Sequence, residues 1–368
     1  MVPDPKLRVL LLFGGRSAEH DVSCATAVAV ARALDPERYE IVPVGITTDG
    51  RWLLAGDARA LLDKGRDALP AAFEVEGELV TPPASVGRAE IVPESGEQGV
   101  TVDVVLPLLH GPYGEDGTVQ GMLELAGLPY VGSGVLGSAV GMDKGMMKQA
   151  FAACGLPQAR YAVFRDGRDL DAFEAHVVDN LGLPCFVKPA NMGSSVGVSK
   201  ARDAGELRAA IALALEYDET AVVEEAITGR EIEVAVLGDN PPEASLPGEV
   251  VPAAEFYDYA DKYEDGRAQL LAPAPLTDAQ TGAVQALAVR AFEACRCDAM
   301  ARVDFFFEEN GRGFLVNELN TIPGFTPISM YPRLWEVSGL PYPKLIDRLI
   351  ELALERRQRR NRRAGRQR

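Results

Sequence analysis

Residues 7–34, LRVLLLFGGRSAEHDVSCATAVAVARAL, decide the fold class. Residues 7–13 are apolar except for Arg8, the composition of a strand covered on both faces. Gly14-Gly15 then supplies a turn, and polar Asp21 precedes an Ala/Val-rich run over 22–34 that reads as a helix. The same order returns downstream, with a buried strand over 102–109, the loop HGPYGEDG (110–117), and a helix over 118–126 closed by Gly127. Strand, glycine loop and helix in repetition predict a parallel α/β sheet. Between these two stretches, 51–100 mixes short apolar runs with Pro, Gly and Glu and gives no assignment.

A second unit begins near 132–141. The spacing predicts a helix over 144–153, a strand over 185–188 entering the loop PANMGSSVG (189–197), and strands over 221–224 and 231–237. A third unit runs from about Ile227 to Leu354. In it, Thr277 and Gln280 make a capping box for a helix whose Val284, Leu287, Ala288, Ala291 and Phe292 keep helical spacing. Segments 301–307 and 314–320 flank a turn containing Asn310-Gly311 and predict a hairpin. The expected division is 1–132, 133–227 and 228–354, with 355–368 a basic, disordered tail. A chain of 368 residues exceeds the roughly 100–200 of one domain, which agrees with several units.

Hydrophobic residues at 47% and charged residues at 25% are ordinary for soluble globular proteins. The net charge of −17 argues against a sequence-independent grip on nucleic acid, which needs clustered Lys and Arg. Residues 356–368, RRQRRNRRAGRQR, are the exception; they hold eight arginines and no acid, while the rest has 29 basic against 54 acidic side chains. Such a run can bind RNA or anionic lipid, and it is equally a solvated, frayed end. The five cysteines are scattered without a CxxC pair, as expected in a reducing compartment. No stretch approaches the roughly 20 apolar residues of a spanning helix, and 9–13 is too short for a secretory core, so a cytoplasmic protein without membrane contact is expected.

The chemistry concentrates in four places. Alternation puts Arg302 and Asp304 on one face of their strand, and Glu318 and Asn320 on one face of theirs. With a turn over 310–312, Asp304 falls opposite Glu318 and Arg302 opposite Asn320. Two carboxylates across a ladder repel unless a cation lies between them, and an oxygen-only set suits Mg²⁺; a solvated face would carry the same residues. The loop Gly193-Ser194-Ser195-Val196-Gly197 follows a strand bearing Lys188, a combination able to cradle phosphate, although a Gly/Ser loop is also a plain turn and no P-loop motif is present. Glu224 and Glu225 end a strand ahead of Ile227 and Glu231; strand-end backbone can pair with adenine and a carboxylate with ribose, and a surface turn looks alike. Glu19 and His20 stand at a strand-to-helix junction, where Glu19 could cap the helix. EFYDYADKYED (255–265) interleaves aromatics with acids, as an exposed amphipathic loop does.

In this order, GGRSAEHDVS, HGPYGEDGTVQGMLELAGLPYVGSG, MDKGMMK, VKPANMGSSVGVSK, VVEEAITGREIEV, FYDYADKY, ARVDF and ELNTIPGFTPISMYP resemble the D-alanine:D-alanine ligases of the ATP-grasp superfamily, from about residue 7 to 352. The resemblance implies a Rossmann-like N-terminal domain followed by a two-part ATP-grasp fold, with ATP held between the last two units. It implies phosphate contacts from Lys144 and Lys188, adenine and ribose contacts from Glu224, Ile227 and Glu231, and further cofactor contacts from Ser195, Glu225 and Lys262. Asp304, Glu318 and Asn320 match ligands for two Mg²⁺ ions, with Mn²⁺ as an alternative ion. Arg302 and the Gly324 N–H would form an oxyanion site, Glu19 would hold the first D-alanine's ammonium, and Ser329 and Met330 the second's carboxylate. Ser194 and Tyr263 would join Glu19 in a network that shuts the site, with His110 close to substrate. A homodimer is implied as well. The rival within the family makes D-alanyl-D-lactate or D-alanyl-D-serine, and the intact Lys262-Tyr263 favours D-alanine. A rival outside catalysis, a nucleotide-binding regulator, is disfavoured by the retention of Ser194, Arg302, Glu318 and Asn320.

Overall fold

Gly14 fixes where the first strand ends. In the computed structural model, which describes residues 5–55, 77–82, 90–96, 98–252 and 269–363, β1 (Leu7–Gly14) stops at a backbone φ of +83°. A Cβ there would lie 2.3 Å from the Ile46 carbonyl oxygen, so only glycine allows the approach. The chain turns directly into α1 (His20–Ala33). Ser23, fully buried in its first turn, accepts from the Gly14 N–H at 2.8 Å and donates to the Leu108 carbonyl at 2.6 Å. One hydroxyl thus fastens the helix to two chain segments that leave the sheet side by side.

In chain order the first sheet continues with β2 (Tyr39–Ile46), β3 (Trp52–Leu54), β4 (Glu78–Thr81), β5 (Glu90–Pro93), β6 (Val100–Thr101) and β7 (Val104–Pro107), followed by α2 (Thr118–Ala126). The spatial order is β6-β5-β4-β3-β2-β1-β7. Only β2, β1 and β7 run parallel; β3 to β6 are antiparallel strands of two to four residues. The expectation of a parallel α/β sheet therefore holds for its centre, and 51–100 supplies an antiparallel extension. Strands this short carry too few alternations to show a period.

The second unit contains α3 (Val135–Met142), α4 (Lys144–Ala153), β8 (Tyr161–Arg165), α5 (Leu170–Asn180), β9 (Cys185–Pro189), β10 (Ser199–Ala201), α6 (Ala204–Leu215) and β11 (Thr220–Glu225). Its four strands form an antiparallel sheet in the order β10-β9-β11-β8, covered by Val177, Leu207, Ile211 and Ala214 of α5 and α6. The third unit adds β12 (Arg230–Leu237), β13 (Glu243–Ala244), β14 (Gly248–Val251), β15 (Gln269–Leu271), α7 (Asp278–Ala294), β16 (Met300–Glu308) and β17 (Gly313–Asn320). These strands are again antiparallel, with α7 burying Val284, Ala288, Ala291 and Phe292 against Val234, Val303 and Phe305. The anticipated capping box is complete at its start, Thr277 Oγ1 accepting from Gln280 N–H at 3.3 Å and Gln280 Oε1 from Thr277 N–H at 2.8 Å.

The chain ends in α8 (Met330–Val337) and α9 (Tyr342–Asn361). The tail expected to be disordered from 355 is corrected here, since helix continues to Asn361. Its apolar face, Leu345, Ile346, Leu349, Ile350, Leu352 and Ala353, joins one core with Val9, Leu11 and Phe13 of β1 and with Ala27 and Val30 of α1. Packing thus returns the last helix to the first sheet. Its arginines are held by acids of other elements, Arg356 by Asp298, Arg359 by Asp239 and Arg360 by Glu124, which is why an all-basic run stays helical. Among the described residues no helix is long and apolar enough to cross a membrane.

Replacing Thr277 with Ala removes one half of the capping box. The variant is expected to lose about 1 kcal/mol of unfolding free energy. Urea denaturation reads this as a lower midpoint at unchanged slope.

Candidate active site

The site is built on the hairpin of β16 and β17. Asp304 pairs with Glu318 and Arg302 with Asn320, the register anticipated from the alternation. The route to it differs. The ladder near the turn pairs Glu308 with Gly313 and Phe305 with Val316, so the loop is one residue longer than expected. A bulge at Asn317 absorbs the extra residue and restores the anticipated pairs beyond it.

The bulge also presents Asn317 to the neighbouring unit. Its carbonyl accepts from Lys148 Nζ at 3.3 Å and its Oδ1 from Lys188 Nζ at 3.5 Å. Both lysines also meet Glu224, Nζ to carboxylate 3.3 Å in each case. Lys148 and Glu224 are almost wholly buried. Burial alone would raise the Glu224 carboxyl, but the two ammonium groups hold it below the usual carboxylate range. Burial draws Lys148 below the ordinary lysine range, while Lys188, partly buried, is held above it by Glu224 and Glu318 despite the cost of desolvation.

Arg302 supplies the cation that the acidic face requires. Its guanidinium grips Asp304 through two hydrogen bonds of 2.7 Å and lies 3.3 Å from Glu233 on the adjoining strand β12. Asn320 Nδ2 donates to the same Asp304 carboxylate at 3.0 Å. Although burial opposes it, Asp304, Glu233 and Glu318 hold Arg302 well above the usual arginine range.

The first domain provides the opposite wall of a cleft of about 800 Å³ that also contains Lys144, Lys188, Arg302, Glu318 and Ser329. Glu19 occupies the N-cap position of α1, but its side chain makes no capping bond. A Cβ on Gly193 would stand 3.3 Å from Glu19 Oε2, and one on Gly111 3.7 Å from it, so two glycines leave room for this carboxylate. The Gly/Ser loop is thus folded over Glu19, with Ser194 and Ser195 at φ of 48° and 59°. Lys144 Nζ donates to the Met192 carbonyl at 2.6 Å, fastening the loop's approach to α4.

Two residues of HGPYGEDG grip the peptide of Ile322 from both sides. Partly buried Glu115 accepts from Ile322 N–H at 3.0 Å and from Gly111 N–H at 2.8 Å, and His110 Nδ1 lies 3.1 Å from the Ile322 carbonyl. Burial pushes the Glu115 carboxyl above its ordinary range. This grip steadies the segment leading to Gly324, where a Cβ would lie 3.2 Å from Ser329 Oγ. Ser329 Oγ accepts from Thr326 N–H at 3.1 Å at the start of α8.

Three side chains with expected ligand roles have protein partners in the structure. The Glu225 side chain turns to Arg160 (2.7 Å) and Arg312 (2.6 Å), Met330 buries its side chain against Gly248, and the Glu224 carboxylate is engaged by lysines. Glu231 and Ile227 line the cleft. Lys262 and Tyr263 lie outside the described residues. The sequence reading missed Lys148, Glu115, Glu233 and Asn317. Lys148 had a signal, one turn beyond Lys144 on the face of α4 that carries buried Met147 and Phe151; the bulge at Asn317 had none.

Two antiparallel sheets closing lysines and carboxylates between them, behind a Rossmann-like first domain, make this an ATP-grasp ligase. More narrowly, the chain belongs to the D-ala D-ala ligase family, whose N-terminal model matches residues 8–133 and C-terminal model 150–351. It is 48% identical over 359 residues to the D-alanine–D-alanine ligase of Geobacillus thermodenitrificans, covering 96% of this chain and 97% of the relative. The D-alanine-D-alanine ligase structure from Coxiella burnetii superposes with a TM-score of 0.85 at 38% identity, covering 97% of this chain and 96% of that one. The VanG D-Ala:D-Ser ligase of Enterococcus faecalis gives 0.84 at 33%, covering 95% and 100%.

Lys148→Ala leaves Glu224 with one of its two ammonium partners in a buried setting. A loss on the order of 3–5 kcal/mol in unfolding free energy is expected, measured by urea titration. A loss below 1 kcal/mol would show that Lys148 does not hold Glu224 in place.

Proposed function

We propose that the protein joins two D-alanines into D-alanyl-D-alanine at the expense of ATP, for peptidoglycan synthesis in the cytoplasm, and that it acts as a homodimer. The observation that carries this reading is the meeting of Gly193 with Glu19 in the cleft that also holds Arg302 and the lysines. A phosphate-cradling loop, an ammonium-binding carboxylate and an oxyanion-binding guanidinium are together what acyl activation and amide formation need.

ATP lies between the second and third sheets. Lys144, Lys188 and Ser195 face its phosphates, Ile227 and Glu231 its base and sugar, and the backbone at Glu225 the adenine edge. Glu224 acts as the counter-ion that sets Lys188. The oxygens of Asp304, Glu318 and Asn320 are a hard-donor set that fits Mg²⁺, two ions in the full site, or Mn²⁺. The ions neutralise charge on the phosphates. Asp304 is already shared with Arg302, so Glu318 and Asn320 carry more of that task.

Glu19 orients the first D-alanine by its ammonium, and that substrate's carboxylate oxygen attacks the γ-phosphorus, expelling ADP and leaving an acyl phosphate. Ser329 and the Met330 N–H, at the N-terminus of α8, hold the second D-alanine's carboxylate. Its amine, once deprotonated, attacks the acyl carbon. The oxyanion faces Arg302 and the Gly324 N–H before phosphate leaves. The Gly/Ser loop over Glu19, together with Ser194, Tyr263 and Lys262, keeps water from the acyl phosphate, while His110 lines the amino-acid end.

Phosphate release with ATP and Mg²⁺ tests the reading. D-Alanine is expected to drive turnover and L-alanine to give none; D-serine or D-lactate performing as well as D-alanine would overturn the assigned second substrate. Glu318→Ala is expected to abolish Mg²⁺-dependent turnover, and near wild-type activity in that variant would remove Glu318 from the metal site.

A further inference from the structure

The tail that the family resemblance left aside is attached to the segment through which the chain passes from the first domain into the rest. Residues 130–134, Tyr-Val-Gly-Ser-Gly, connect the first sheet to α3. Arg356, 5% exposed, donates Nη1 to the Gly132 carbonyl at 2.5 Å and Nη2 to the Tyr130 carbonyl at 2.6 Å. Its guanidinium also stacks over the Tyr130 ring, 4.6 Å from Cζ to centroid. From the third unit, Asp298 meets Arg356 at 3.3 Å and Arg360 at 3.9 Å. Arg360 pairs with Glu124 of α2, and Tyr130 OH donates to Glu124 at 2.9 Å. The Asp298 N–H donates to Ser133 Oγ at 3.2 Å inside the connector itself.

A planar fork that binds two carbonyls two residues apart and a ring face at once fixes both position and angle, which a lysine ammonium would not. Glycine at 132, with φ of +94° and nothing within 4 Å of its Cβ position, contributes no side chain of its own to hold the connector there. The brace comes from α9 instead.

We propose that Arg356, with Arg360 and Asp298, forms a latch that sets the first domain against the ATP-grasp units, making Arg356 a positioning residue for the amino-acid subsites. This rests on the reading that Glu19 binds the first D-alanine. Every residue assigned to ATP follows the connector in the chain, whereas Glu19 and His110 precede it. A shift in the connector's angle therefore moves Glu19 and His110 relative to the later amino-acid residues Arg302, Gly324, Ser329 and Met330, and leaves the nucleotide residues in place among themselves. Misplacement by about 1 Å at a distance from the chemistry can cost up to about a hundredfold.

The test is steady-state kinetics of the full chain, with KM for D-alanine and for ATP measured separately. Arg356→Ala is expected to raise the D-alanine KM ten- to a hundredfold while the ATP KM stays within twofold. Asp298→Asn and Arg356→Lys, milder lesions that keep more of the packing, are expected to move the same constant in the same direction by less. Arg348→Ala, which removes a guanidinium that among the described residues pairs with Glu351 and Glu355 along α9, serves as the control and is expected to change neither KM. Unchanged D-alanine KM in Arg356→Lys and Asp298→Asn, or a fall in kcat with both KM values unmoved, would overturn the latch and leave Arg356 a stability contact alone. Glu19→Gln separates the two readings. If it leaves the D-alanine KM alone, the Glu19 assignment fails, and the Arg356 series still decides whether the connector angle governs that constant.

Discussion

One guanidinium makes the catalytic face physically tenable. Asp304, Glu233 and Glu318 converge from three neighbouring strands, and carboxylates so close would repel at a cost that folding could not readily absorb. Arg302 binds Asp304 with a bidentate fork and draws Glu233 toward the same charge. Arg302 is thereby held in one position, and an electrostatic group fixed in advance needs no reorganisation when charge develops beside it.

The second neutralised acid, Glu224, works in the opposite sense. It is buried between Lys148 and Lys188, so its negative charge is spent on ordering two cations. With Asn317 receiving both ammonium groups from the facing hairpin, the lysine pair becomes a bridge between the two sheets that close the cleft. Removal of one partner from such a set leaves a charge without compensation, which is costlier than the pair is stabilising.

The first domain contributes through contacts that reach across unit boundaries. Glu115 and His110 hold the Ile322 peptide, the Gly/Ser loop closes on Glu19, and α9 packs its apolar face on β1 and α1. The three units recognisable in the chain are thus not three independent cores. Among the described residues one apolar cluster takes residues from β1, α1, α8 and α9 together, and that shared core helps bring Glu19 to the same cleft as Arg302.

Much of this was legible in sequence because its signals are local. Gly14 and Gly15 mark the first strand's end, Thr277 and Gln280 the start of α7, and strand alternation placed Arg302, Asp304, Glu318 and Asn320 on one face. Local propensity, capping and two-residue periodicity depend only on neighbours along the chain, so a reader of the chain has access to them. The short strands between 51 and 100, the bulge at Asn317, the burial of Lys148 and the ordering of the arginine-rich end were decided by tertiary structure. Each depends on a partner distant in sequence: Asn317 on two lysines well over a hundred residues earlier, and Arg356 on carbonyls of residues 130 and 132. A charge such as that of Lys148 or Arg356 looks solvated until the fold supplies its counter-charge or carbonyl, because only three-dimensional packing determines whether water or protein satisfies it.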